Sequence, residues 1–130
     1  MVTTDLLVLA WVAALTSLMW IPYILARIGA SGLVPVLTYA ADDGKLPDWA
    51  ARAKRAHSNA IENLAPFAAV VIVASLLGAA NGTTALWSVV YLCARVVHYL
   101  AYIAGVPYVR TLAFAAGWLS IMVIFLQIVT

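Results

Sequence analysis

The sequence is short of charge. Only 9% of its 130 residues are Asp, Glu, Lys or Arg, while 66% are hydrophobic; an average soluble domain carries roughly 25% charged residues. That balance excludes an ordinary soluble fold and points to an integral membrane protein, one domain over residues 1–130. Cysteine is nearly absent. With Cys93 alone, no intrachain disulfide and no cysteine metal cluster can form, and its place in a long apolar run reads as a small buried residue. The start of the chain lacks cations: Asp5 is the only charge before the first apolar run, so that run has no signal-peptide pattern and is kept as a helix. A net charge of +2 is too small to indicate a nucleic-acid partner. Repeats and low-complexity tails are missing as well.

What is there is four apolar stretches. They predict an all-α membrane protein, a bundle of four transmembrane helices over about residues 5–29, 48–80, 83–104 and 108–129. The uncharged part of the second run, Leu64 to Ala80, covers roughly 25 Å at about 1.5 Å per residue, so the helix is expected to extend backward through RAKRAHSNAIENLAPF, Arg52 to Phe67. Asp48, after Pro47, is a plausible N-cap for it, and Pro66 could bend it at membrane depth. Between the first two spans, Ala30 to Trp49 carries Gly, Pro and acidic residues and reads as a loop.

The few cations are unevenly placed. Five of the seven Lys and Arg (Arg27, Lys45, Arg52, Lys54 and Arg55) lie beside or between the first two spans. The positive-inside rule then makes the first loop cytoplasmic and puts both termini on the opposite side. Arg52 and Lys54 read as headgroup-facing cations that set this topology.

Two polar stripes stand inside the spans. Arg55, Asn59, Glu62 and Pro66 follow i, i+4, i+7, i+11 on the second helix, and Arg95, His98 and Tyr102 follow i, i+3, i+7 on the third; each set shares one helical face. Arg27 ends the first span and Arg110 opens the fourth at the same level. An ionisable group in hydrocarbon costs at least about 2.5 kcal/mol, so these side chains must have partners. Two readings remain open. Glu62 could pair with Arg95 or Arg55 in a structural network, or the excess of arginine over carboxylate could be balanced by an anionic ligand. No metal-ligand spacing surrounds His98, because His57 is the only other histidine.

The two stripes carry a resemblance. RAKRAHSNAIENLAPF holds every fixed position of R-A-x-x-N-x-x-E-x-x-x-P-F, and ARVVHYLAYIAGVPYVRT holds R-x-x-H-x-x-A-Y with an arginine after a short turn. Both are similar to signatures of the membrane-associated proteins in eicosanoid and glutathione metabolism, the MAPEG family, in matching order along the whole chain. The resemblance implies a homotrimer in a bacterial inner membrane or an endomembrane, with glutathione as co-substrate between subunits near the cytosolic side. It implies that Arg55, Asn59, Glu62, Arg95, His98 and Tyr102 hold glutathione, with Arg27 fitting less closely, and that Arg110 activates the thiol.

Departures narrow the expectation. Phe114 stands where some relatives have a tyrosine, Asn63 where others have an aromatic residue, and Thr111 where one has a serine. Eicosanoid chemistry is therefore not implied. The expected activity is glutathione transfer to, or peroxide reduction of, lipophilic electrophiles arriving from the membrane lipids. The rival is a non-catalytic scaffold whose polar stripes are an ion-pair network.

Overall fold

The computed structural model describes residues 4–41 and 44–130. Its helices are α1 (Thr4–Leu18), α2 (Trp20–Ser31), α3 (Leu33–Leu37), α4 (Asp48–Leu76), α5 (Gly82–Ala104) and α6 (Pro107–Val129). Four stretches are long and apolar enough to cross a membrane: Thr4–Ser31, Asp48–Leu76, Gly82–Ala104 and Pro107–Val129. Large apolar side chains such as Leu76, Leu100 and Leu112 lie exposed along them, as lipid-facing residues must.

The first span is broken where proline demands it. Pro22 cannot donate to the carbonyl four residues earlier, α1 stops at Leu18, and the Met19 amide turns back to the Thr16 carbonyl at 3.2 Å. A neighbour braces the break: the Tyr99 hydroxyl of α5 donates to the Met19 carbonyl at 3.1 Å. Tyr23 on α2 in turn meets Nδ1 of His57 on α4 at 2.9 Å. By contrast Pro66 lies inside α4 without interrupting it.

The span boundaries differ from the periodicity in instructive ways. α4 ends at Leu76, short of residue 80, because Gly78 takes φ +68° and the Ala79 and Gly78 amides bond back to Ala74 and Ser75. That is a Schellman stop, which a glycine two residues past the helix makes inexpensive. Asp48 is the first helical residue and Pro47 the N-cap, so the carboxylate favours the positive end of α4 without capping it. The expected loop over 30–49 contains the short α3; positions 42 and 43 lie outside the described residues.

α5 is the central element, packing on α6, α4 and α1, while α4 also meets α1, α2 and α6. The core gathers Val8, Val12, Phe67, Val71, Tyr91, Ile121 and Ile124. Phe67 stacks on Tyr91 with ring centroids 3.8 Å apart and planes 6° from parallel. Next to this pair, Gly117 of α6 lets the helices close: a Cβ there would sit 3.7 Å from both Tyr91 and Arg95 Cδ, already at van der Waals contact.

Candidate functional site

α5 delivers its polar stripe into the bundle. Arg95 is 4% exposed and His98 2% exposed, although both lie on a helix that spans apolar surroundings. Arg95 Nη2 donates to Asn59 Oδ1 of α4 at 2.7 Å and lies 3.4 Å from His98 Nδ1. Its Nε and the Tyr91 hydroxyl are buried without a hydrogen-bond partner among the described residues. The Asn59–Arg95 link is charge-assisted and neutral in sum except for one positive charge. That charge has no carboxylate beside it.

Above this layer the polar residues line a cleft. A cavity of about 260 Å³ is bounded by Asn59, His98, Tyr102, Arg110, Thr111 and Phe114. The Tyr102 and His98 rings meet edge to face, 5.5 Å between centroids, and the Arg110 guanidinium carbon lies 4.7 Å from the centre of the Tyr102 ring. A cation over a tyrosine ring is held with its N–H groups still able to donate. The Thr111 hydroxyl donates to the Pro107 carbonyl at 3.1 Å, so its proton is engaged within α6. Phe114 contributes an apolar wall, its ring 6.3 Å from that of His98.

Of the eight residues singled out by sequence, five meet here: Asn59, Arg95, His98, Tyr102 and Arg110. Arg55 and Glu62 do not. Both are exposed on α4, and among the described residues no ion pair joins Glu62 to Arg95 or Arg55. The pairing expected of a purely structural network is therefore missing; i, i+7 spacing stacks Arg55 and Glu62 two turns apart, and the face they share turns out of the single chain. Arg27 is buried and donates to the carbonyls of Ala41 and Gly44, holding the segment after α3 rather than lining the cleft.

Arg52, a headgroup-facing cation by sequence, is half-buried, and its Nε donates to the Ile103 carbonyl at 3.0 Å. Its position seven residues before Asn59 is the helical-spacing signal that marks it. Cys93 is exposed rather than buried, on the wall of an apolar groove of about 440 Å³ between α5 and α6.

Four membrane-spanning stretches, three of which border a cationic cleft with no carboxylate among its described lining residues, define a polytopic membrane protein with a ligand-sized polar site. The chain belongs to the MAPEG family, which it matches over residues 6–130. It is similar to microsomal glutathione S-transferase 1 of Bos taurus, with 36% identity over 72 residues, 55% of this chain and 46% of that protein. The matched stretch thus spans about half the length of that relative. No solved structure matches.

Proposed function

We propose that the chain is a glutathione-dependent membrane enzyme that transfers glutathione to, or reduces peroxides among, lipophilic electrophiles. The observation that carries this reading is Arg110: a guanidinium over the Tyr102 ring, at the wall of the cleft, with no hydrogen bond or ion pair to the described residues. A thiolate, not a thiol, is the nucleophile, and a guanidinium in a low-dielectric site favours the charged form, each pKa unit being worth about 1.36 kcal/mol. In transfer, the glutathione sulfur gives its electron pair to an electrophilic carbon, a C–S bond forms, and the leaving group departs with the pair it held. In peroxide reduction the sulfur attacks one oxygen, the O–O bond breaks, the departing alkoxide takes a proton, and the glutathione sulfenic acid so formed condenses with a second glutathione to give the disulfide and water. Arg110 stabilises the thiolate before attack; His98 and Tyr102 shape the cleft around it.

The exposed charges support a subunit interface. Arg55 and Glu62 lie exposed on a membrane-spanning helix, where lipid contact would be costly for both. In a homotrimer a neighbouring copy would cover this face and bring Arg55 and Glu62 to the cleft of the next subunit. Glutathione carries two carboxylates and one ammonium, which arginines and Glu62 respectively complement. With the first loop cytosolic by the positive-inside rule, the cleft opens to cytosolic glutathione and, sideways, to membrane lipids carrying the electrophile.

The test is a thiolate ultraviolet band on adding glutathione to the purified protein, expected in the wild type and absent in Arg110→Ala. Glu62→Gln is expected to weaken glutathione about tenfold, the effect of losing one charge-assisted hydrogen bond. Unchanged affinity would return Glu62 to a structural role.

A further inference from the structure

Tyr102 also borders a second cleft. A cavity of about 230 Å³ lies at the α5–α6 turn, bounded by Arg52, Tyr102, Gly105, Val106, Pro107 and Arg110 among others. It shares Tyr102 and Arg110 with the first cleft but contains none of Asn59, His98, Thr111 and Phe114.

The hydrogen-bonding inventory of this cleft is one-sided. α5 ends here, and helix ends leave carbonyl acceptors that could neutralise nearby cations. Three of the last four are engaged, those of Ala101, Tyr102 and Ile103. The Val106 amide donates to the Ala101 carbonyl at 2.9 Å and the Gly105 amide to Tyr102 at 3.2 Å, the two bonds of a Schellman stop. That motif leaves the Ile103 carbonyl, which Arg52 Nε takes at 3.0 Å. Gly105 supplies the left-handed turn that ends α5, with φ +77°. What remains is donors. The Nη groups of Arg52 have no acceptor among the described residues, Arg110 has only the Tyr102 ring, and no carboxylate lines the cleft. Arg52, oriented by its carbonyl bond, has lost its freedom to swing away into solvent.

We infer that the α5–α6 turn is a binding site for a phosphate group, held between Arg52 and Arg110 in a cleft that adjoins the thiol cleft at Tyr102. Two guanidiniums facing one cavity match the geometry of a phosphate better than a neutral or cationic ligand. The volume admits a phosphate with several waters, at about 30 Å³ per water. Free phosphate and the phosphodiester of an anionic lipid headgroup share this chemistry. Because Arg110 borders both clefts, an anion here competes for part of its field and tunes thiolate formation next door. That coupling rests on the glutathione reading; the phosphate site itself does not.

The test uses the full chain in nanodiscs of phosphatidylcholine, titrated calorimetrically with inorganic phosphate. The wild type is expected to bind it, and Arg52→Gln to bind about tenfold more weakly, as for one lost charge-assisted hydrogen bond, with glutathione affinity changed less than about twofold. Val106→Asp is the second variant, because it places a carboxylate at an exposed helix N-cap where aspartate is well accepted; it is expected to abolish phosphate binding while the protein stays folded. Repeating the titration with phosphatidylglycerol in the disc separates the sources: weakened phosphate binding identifies the lipid headgroup as occupant, and unchanged binding identifies free phosphate. Absent phosphate binding in both discs, or equal affinity in wild type and Val106→Asp, overturns the site. So does strict competition between phosphate and glutathione, which would make the second cleft part of the thiol site. Phosphate binding without any glutathione binding would keep this site and remove the thiol reading instead.

Discussion

The two ends of the bundle handle polarity in opposite ways. At the α4–α5 turn, polar atoms find partners within the chain: Asn81 Oδ1 accepts from the Thr84 amide at 3.0 Å, and the Asn81 amide donates to Thr84 Oγ1 at 2.8 Å. Thr84 Oγ1 also lies 3.1 Å from Asp5 Oδ2, joining α1 to α5, and Asn81 Nδ2 donates to Gln127 of α6 at 2.9 Å. Asp5 and Thr84 are almost wholly buried. The end reads as a clasp, with polarity spent on structure. At the α5–α6 turn, the carbonyls of Ala101, Tyr102 and Ile103 are engaged while the Nη donors of Arg52 and the guanidinium of Arg110 stay open. A polar group with its partner inside the chain holds the fold; one without a partner is available to a ligand.

Breaking this contrast gives a graded set of outcomes. Arg110→Ala should lower glutathione-dependent turnover about 10²-fold, the scale of removing one charge-stabilising donor, with the thermal unfolding midpoint unchanged. Thr84→Val, at the clasp, should do the reverse: a loss of about 1–2 kcal/mol of stability as Asp5 loses its donor and α5 its capping box, seen in denaturant titration, with glutathione affinity retained. Gly105→Ala falls between. It should cost about 1 kcal/mol for a left-handed residue with a Cβ, seen in denaturant titration. Gln127→Ala, at an exposed hydrogen bond, should shift stability by less than about 0.5 kcal/mol. A clasp variant that abolished glutathione binding, or an Arg110 variant that failed to fold, would dissolve the distinction.

The sequence exposed the spans and the helix faces more readily than the way those faces meet. Hydropathy and length identify four spans because every lipid-facing residue reports its surroundings directly. Asn59, Arg95, His98, Tyr102 and Arg110 were legible as a cluster because period 3.6 places them on faces of neighbouring helices. The azimuth of those faces was not legible, which is why Glu62 looked like a partner of Arg95 and proves exposed. Arg52 was read as a topology signal because its carbonyl partner, Ile103, is created only when α5 stops at Gly105. The Gly78 stop and the Asn81 cap were local signals in GAANGTT that apolar periodicity alone passes over. Cys93 misled through hydropathy: an apolar stretch of a membrane helix faces lipid as readily as protein.

The central claim is that the donor-rich end of the bundle is a thiol-ligand site. Calorimetric titration of glutathione into the wild-type protein in lipid nanodiscs tests it most directly. The account predicts saturable binding that Thr84→Val retains; absence of any binding by the folded wild type would contradict it.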